Sequence, residues 1–448
     1  MIKDMTKGTP WKLIFSFMVP VCCGNIFQNF YNIVDSMIVG RFLGVEALAA
    51  VGSTGSINFL VIGWIVGMTS GFGIQLSQAF GANDRNRLRH YLAMSAYLCI
   101  GLAFLMTAGL LLANRTILQW MNTPEEIFYN TAKYIGLIYA GLPVTILYNM
   151  LATVARALGD SKTPLYFLVL SSVLNIILDF LFVAILPFGV AGAAYATVLA
   201  QAVSAGLCLV YVWKKFPIIH FNKKDAGVKG SSIYNLLSMG IPMGLQFSIT
   251  AIGTMIVQAS LNTLGATYIA AYSATMKIQN IVTQVYPALG TAIATYTGQN
   301  YGAGEMKRIK KGVNACLVIE AIYSILIMAL SWSVFPMAVR IFAEDPTGEL
   351  QMIACQMFRI SMWFFFPLGS IFIYRNVLQG LGNGFVPMMG GVFELIARAL
   401  VIYVLFDSMQ FTAICISDPA AWISALIPLI PYYYWFINRK QKKLENGI

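Results

Sequence analysis

Two carboxylates stand inside stretches apolar enough to lie in a membrane. Asp179 lies within the run Ser171 to Val183, and Asn175 lies four residues before it, on the same face if the run is helical. Asp35 is the other aspartate in an apolar stretch of the first half. A carboxylate in lipid is costly and marks a functional site by default. Two at one depth, with amides and hydroxyls near, suit uptake of H⁺ because burial and mutual repulsion both favour the neutral acid. The same oxygens at fixed positions suit Na⁺. The structural alternatives are that Asp35 caps a helix end near Gly40, or that Asp179 only hydrogen-bonds Asn175.

These residues need spanning helices to hold them. The chain of 448 residues is 58% hydrophobic and 10% charged, against about a quarter charged in soluble domains. The formal charge of +11 does not point to nucleic acid, because the basic residues cluster in short loops between apolar segments. Seven cysteines fall in apolar segments without metal-ligand spacing and read as small core residues. The histidines, His90 and His220, lie in basic loops, so no Ser/His/Asp or Cys/His catalytic set can be assembled in the membrane and an enzyme is not expected. The segment MIKDMTKGTPWK precedes an apolar run too long for a signal-peptide core and reads as the start of the first span.

Counting runs of roughly 20 apolar residues predicts an all-α polytopic protein of twelve spans, at 11–39, 47–78, 88–112, 129–155, 164–186, 190–213, 233–261, 267–298, 312–338, 351–380, 386–406 and 411–437. The amino terminus, the loops after even-numbered spans and the carboxyl tail hold most of the lysines and arginines. The other face carries Arg41, Arg115 and Arg340. Both termini are therefore expected in the cytoplasm. Tyr432-Tyr433-Tyr434-Trp435 before the basic tail fits an interfacial belt or packing aromatics.

The chain also repeats itself. QAFGANDRNRLRH at 78–90 aligns with QNYGAGEMKRIKK at 299–311, Leu43-Gly44 with Leu264-Gly265, Pro20 with Pro242, and ARALGDSKTP at 155–164 with LQGLGNGFVP at 378–387. The offset stays between 221 and 223, which signals duplication. Six spans per half make the repeat parallel, with an expected amino-terminal lobe 1–221 and carboxy-terminal lobe 222–448 and substrate between them. Pro20, Pro143, Pro242, Pro287 and Pro367 lie inside the predicted spans, where proline kinks a helix. Pro20 shares its span with Asp35.

Counting about 1.5 Å per residue from Pro164 puts Asp179 roughly 22 Å into the membrane, in the outer half, with Asp35. Thr197 falls roughly 10 Å below the outer surface, at the same level. Tyr134 lies near the outer end of the fourth span, and Asn149 lies deeper. In the second half, Glu394 and Arg398 are four apart and expected to pair. Lys277 is read first as an ion-pair partner of Glu320, and alternatively as a cavity-lining cation.

Pro20 with VDSMIVGRFLG at 34–44, GQNYGAG at 298–304, NIILD at 175–179 and the six-plus-six duplication together resemble the multidrug and toxic compound extrusion (MATE) transporters. The likeness covers nearly the whole chain and is to the prokaryotic branch that includes the DNA-damage-inducible proteins. It implies a plasma-membrane antiporter exporting small amphipathic, often cationic compounds in exchange for H⁺ or Na⁺, with lipid around it, no nucleic acid and no cofactor beyond the coupling ion. A monomer is the expected state. Carried over by position, the resemblance implies a cation-linked network of Asp35, Asp179, Asn175, Thr197, Asn149 and Tyr134, with Pro20 as hinge. If Na⁺ is the ion, Asp35, Asp179, Asn175 and Thr197 are its expected ligands. Another branch carries an acid early in the seventh span; Thr250 stands near that place here, so a coupling site of that branch's type is not expected in the second half. The alternative reading is a flippase for a lipid-linked precursor of the same superfamily. It would need a cationic groove, for which Lys277, Arg359 and Arg398 are the available residues.

Overall fold

A computed structural model describes residues 3–186, 188–220, 224–342 and 348–445. Every regular element in it is helical: α1 Pro10–Leu43, α2 Val45–Ser53, α3 Gly55–Gly81, α4 Arg85–Trp120, α5 Glu125–Ala140, α6 Leu142–Ala157, α7 Lys162–Asp179, α8 Val190–Lys215, α9 Gly230–Leu261, α10 Ala266–Val282, α11 Val285–Gly302, α12 Met306–Phe342, α13 Glu349–Met362, α14 Phe365–Gly380, α15 Phe385–Met409 and α16 Phe411–Glu445. A π-helical turn, Phe180–Ile185, follows α7 directly.

Among the described residues nine helical stretches are long and apolar enough to cross a membrane, or eleven if the bent pairs α5/α6 and α13/α14 each count as one. The bends are 46° and 50°. The expected eighth span, 267–298, is divided between α10 and α11. Many apolar side chains face outward. The α4 stretch has a mean hydropathy of 2.2 yet only 6% of its window is buried, with Phe104, Leu105 and Leu112 exposed. Such a surface is stable only against lipid.

The prolines divide into two kinds. Contrary to the expectation from the sequence, Pro143, Pro287 and Pro367 do not kink continuous helices. They sit in the first turn of α6, α11 and α14, where a helix restarts and the missing N–H has no partner to lose. Pro20 and Pro242 lie inside the unbroken α1 and α9.

The chain forms two compact units. The first holds Met1–Asp4 with Cys23–Gly244, and the second holds Met5–Cys22 with Leu245–Ile448. Both α1 and α9 therefore contribute to both units, changing membership just after Pro20 and Pro242. The lobe boundary expected at 221/222 lies outside the described residues, as does Lys223 of the basic loop.

Within the first unit, Gly67 and Gly71 of α3 meet Gly240, Met243 and Gly244 of α9. A Cβ at either α3 glycine would stand 2.5 to 2.6 Å from that backbone, so only glycine permits the approach. In the second unit the chain start is tied down by Met5 N donating to Gln299 Oε1 at 2.8 Å and Arg308 Nη2 donating to the Gly8 carbonyl at 3.0 Å.

The aligned repeat motifs adopt matching backbone. Gly44 and Gly265 have φ of 86° and 99°, and Gly159 and Gly382 have 80° and 89°. After each of the latter, an Asp or Asn caps the next helix: Asp160 Oδ1 accepts from Thr163 N at 3.0 Å, and Asn383 Oδ1 from Val386 N at 3.1 Å. A Cβ on Gly159 would also overlap the Lys3 carbonyl. Asp160 accepts further from Thr163 Oγ1 and Lys215 Nζ, both at 2.7 Å. Burial alone would raise its pKa; the donated bonds from Lys215 and Thr163 outweigh it and hold the carboxyl below the ordinary range.

Candidate functional site

Helices α1 and α7 run side by side in the first unit. A Cβ at Gly24 would lie 3.4 Å from Leu168, so α1 rests on α7 there. Eleven residues further along each helix stand Asp35 and Asp179. At the far end Phe42 packs edge-on against Phe180, centroids 5.8 Å apart, joining the end of α1 to the π-helical turn. Two helices running in the same direction from a common contact deliver their carboxylates to one level.

Asp35 is 9% exposed, and Asp179 is completely buried. The two carboxyls face one another within reach of a shared proton. Asn175 is buried beside Asp179 and donates from Nδ2 to Thr197 Oγ1 of α8 at 3.3 Å. Tyr134 of α5 lies near both carboxyls and is packed by Val39, Ala47, Val183 and Ala193, side chains of α1, α2, the π turn and α8. The turn after Asp179 widens the helix where its side chain must point inward, a device frequent at functional sites.

Sequence reasoning missed Tyr31. It precedes Asp35 by four residues and so shares its helix face. Its phenol lies near both carboxyls and within hydrogen-bonding reach of Thr197. The spacing from Asp35 was the available signal, but a tyrosine in an apolar helix ordinarily reads as packing. Asn149 is not drawn into the cluster by a hydrogen bond: its Nδ2 donates to the Thr145 carbonyl of its own helix at 2.8 Å. Thr145 in turn donates to Gln201 Oε1 at 2.7 Å.

Asp35 Oδ1, both carboxylate oxygens of Asp179 and Asn175 Oδ1 are buried and accept no hydrogen bond among the described residues. Buried acceptors without donors are rare and costly. Such a set is completed by a proton on one carboxyl or by a hard cation among the oxygens. Among the described residues no group of three or more His, Cys, Asp or Glu side chains is placed to hold a metal ion.

In the second unit Glu394 and Arg398 pair as expected, at 3.7 Å. Glu394 also meets Arg375, and Arg398 Nε donates to Asp418 Oδ1 at 2.9 Å. Arg359 lies over the Trp332 ring at 4.7 Å. The arginines that would have built a pyrophosphate groove are thus committed to acids or to an aromatic face. The pairing expected between Lys277 and Glu320 is not formed. Lys277 is on the exposed face of α10, while Glu320 is fully buried and bonded by Ser370. The histidines are structural: His90 Nε2 bonds Ser232 Oγ at 2.9 Å, and His220 stacks on Trp213.

A group of unsatisfied oxygens, buried among the helices of a polytopic membrane protein, is what an ion-linked membrane transporter would need. Comparison with known proteins agrees. A family model described as MatE matches twice, over residues 20–181 and 242–404. The probable multidrug resistance protein YpnP of Bacillus subtilis strain 168 is 30% identical over 386 residues, 85% of this chain and 84% of YpnP. The probable multidrug resistance protein YoeA of the same strain is 27% identical over 452 residues, 97% of this chain and 96% of YoeA. In fold, the chain superposes with a TM-score of 0.90 on the outward-facing structure of a multidrug resistance MATE family transporter of the MOP superfamily, at 22% identity and with 98% of each chain covered. The chain belongs to the MatE family.

Proposed function

We propose that this protein is a cation-coupled antiporter that exports amphipathic, often cationic compounds by alternating access. The observation that carries the reading is the juxtaposition of Asp35 and Asp179, buried, facing and short of donors. Either H⁺ or Na⁺ would neutralise the pair. Asn175 and Thr197 serve as ligands or orienters of Asp179, Tyr31 and Tyr134 hold the carboxyls from the sides, and Asn149 acts from further down the lumen. If the ion is Na⁺, Asp35, Asp179, Asn175 and Thr197 supply hard oxygen ligands. The ion has leverage only through its different affinity for two conformations. Neutralising Asp35 changes what the outer part of α1 prefers to pack against, and Pro20, where one helix bond is already missing, is the hinge that lets it follow.

Twelve spans in two parallel repeats, 1–221 and 222–448, with both termini cytoplasmic, fit this reading. The matched motif conformations and the basic loops support it. Placement in the DNA-damage-inducible branch rests on the sequence motifs, and action as a monomer is part of the same proposal. The deciding experiment uses purified protein in proteoliposomes with Na⁺ and H⁺ gradients imposed separately and ethidium as the probe. Ethidium movement driven by one of the two gradients is expected. Movement at the rate of empty liposomes under both would refute antiport.

A further inference from the structure

Glu320 has no part in the site described above. It lies 14 residues into α12, or roughly 21 Å along it, and is completely buried. Among the described residues its hydrogen-bond partner is Ser370 of α14, whose hydroxyl lies 3.4 and 3.5 Å from the two carboxyl oxygens and whose backbone also bonds it. The titratable groups that face it are Cys316 on its own helix, Tyr286 of α11 and Tyr374 of α14, all neutral at ordinary pH. Among the described residues no lysine, arginine or histidine is seen bonding it. This contrasts with Glu394, another buried glutamate of this unit, which holds two arginines.

The surroundings are fitted to the carboxyl. A Cβ at Gly369 would overlap it, so glycine is required where α14 passes. One turn further along α12, Ser324 Oγ lies 2.9 Å from Tyr286 Oη, a phenol near Glu320, so hydroxyls of Ser370, Tyr286 and Ser324 form a line on the Glu320 side without direct bonds joining all of them. Tyr286 and Ser370 both stand in the first two turns of restarted helices, just after the interruptions between α10 and α11 and between α13 and α14. A buried carboxyl with no cation is strongly disfavoured as an anion. A hydroxyl neighbour can donate to the carboxylate or accept from the acid, so it serves both states.

From this arrangement we infer that Glu320, with Ser370 as its orienting partner, is a second proton-carrying site, in the carboxy-terminal half, that is loaded and unloaded during the transport cycle. The inference rests on the antiport reading above. It is not a repeat of the aspartate site, because at the offset of 221 that aligns 78–90 with 299–311 the first half has Cys99 in this place. When the restarted helices α11 and α14 shift, the hydroxyl line opens to water and the proton leaves the carboxyl for that water. When they return, the acid is formed again. The structural alternative is a permanently neutral glutamic acid that only fills space.

The test measures protons displaced when ethidium binds the purified protein in weak buffer, using a pH-sensitive dye. The wild type should displace more protons per ethidium than Glu320→Gln, by roughly one, and the pH profile of export should change in the variant. Equal proton counts and an unchanged profile would overturn the inference while leaving antiport standing. No displacement in the wild type would overturn the inference, and export driven by neither an H⁺ nor a Na⁺ gradient would overturn antiport as well. Should Glu320→Gln fail to fold, infrared difference spectra of the wild type and Ser370→Ala decide the matter. A carboxyl C=O band that appears and disappears with ethidium, and moves when Ser370 is removed, is expected. A band indifferent to ethidium would leave only the space-filling role and refute the proposal.

Discussion

Two groups of buried charge can be compared, one in each unit. In the first unit Asp35 and Asp179 face each other with oxygens that accept nothing. In the second, Glu394 and Asp418 are held by Arg375 and Arg398. Both groups lie on helices deep in the chain, and composition alone would not separate them. Partnering does. An acid matched by arginine keeps its charge through any change of conformation and fastens α14, α15 and α16 together. An acid matched only by another acid cannot keep both charges, so its state depends on what ion is present. Under the proposed function the paired network stays fixed, and the unpaired pair is the one whose state changes.

The comparison breaks most sharply under charge removal. Asp35→Asn and Asp179→Asn should each reduce gradient-driven ethidium export to the rate of empty liposomes, while the protein remains folded in detergent. Near-normal export in either variant, measured against its own protein level, would put the coupling elsewhere. Arg398→Ala should do the opposite. It leaves Glu394 to Arg375 alone and takes the arginine away from the partly buried Asp418, at a cost of about 3 kcal/mol, so the melting temperature and yield should fall before any specific transport defect is seen. An Arg398→Ala protein of wild-type stability that fails only to transport would make the second network part of the machinery.

Finer tests follow. Tyr31→Phe removes one hydroxyl from the aspartate site and should weaken ion affinity or export by about two- to tenfold, the worth of one hydrogen bond. Melting curves with and without the coupling ion would show whether the loss is in ion binding. Loss of stability without loss of ion response would return Tyr31 to packing. The smallest effect is expected at Asp160, outside the spans. Its carboxyl is held below the ordinary value of 3.8, so its contribution is complete above that pH and is lost as pH falls through the lower folded value. Asp160→Asn should therefore cost about 2 kcal/mol near neutrality, and the gap to wild type should close in acid. A gap that widens as pH falls would contradict the assigned ion pair with Lys215.

How much was legible beforehand follows from what each residue type tolerates. An aspartate in an apolar run has few acceptable explanations, so Asp35 and Asp179 stood out, and Asn175 with them by spacing. Glu394 and Arg398 were readable as a pair for the same reason, because both lie on one helix. Tyr31 was not, since a tyrosine is at ease among apolar neighbours and only Thr197 and the carboxyls beside it reveal a second use. Lys277 and Glu320 were matched by sign, although they lie on different helices; the orientation of α10 takes Lys277 to the exposed face and leaves Glu320 with Ser370.

The sequence by itself determined the all-helical membrane class, the duplicated motifs and the acids worth following, because these depend on local hydropathy, spacing and the cost of charge in lipid. Tertiary structure decided the rest. It showed that prolines 143, 287 and 367 begin helices rather than bend them, that α1 and α9 each serve both units, and that Asp35 and Asp179 meet because α1 and α7 keep register over eleven residues. Contacts between distant segments depend on how whole helices pack, and no short stretch of sequence contains that information.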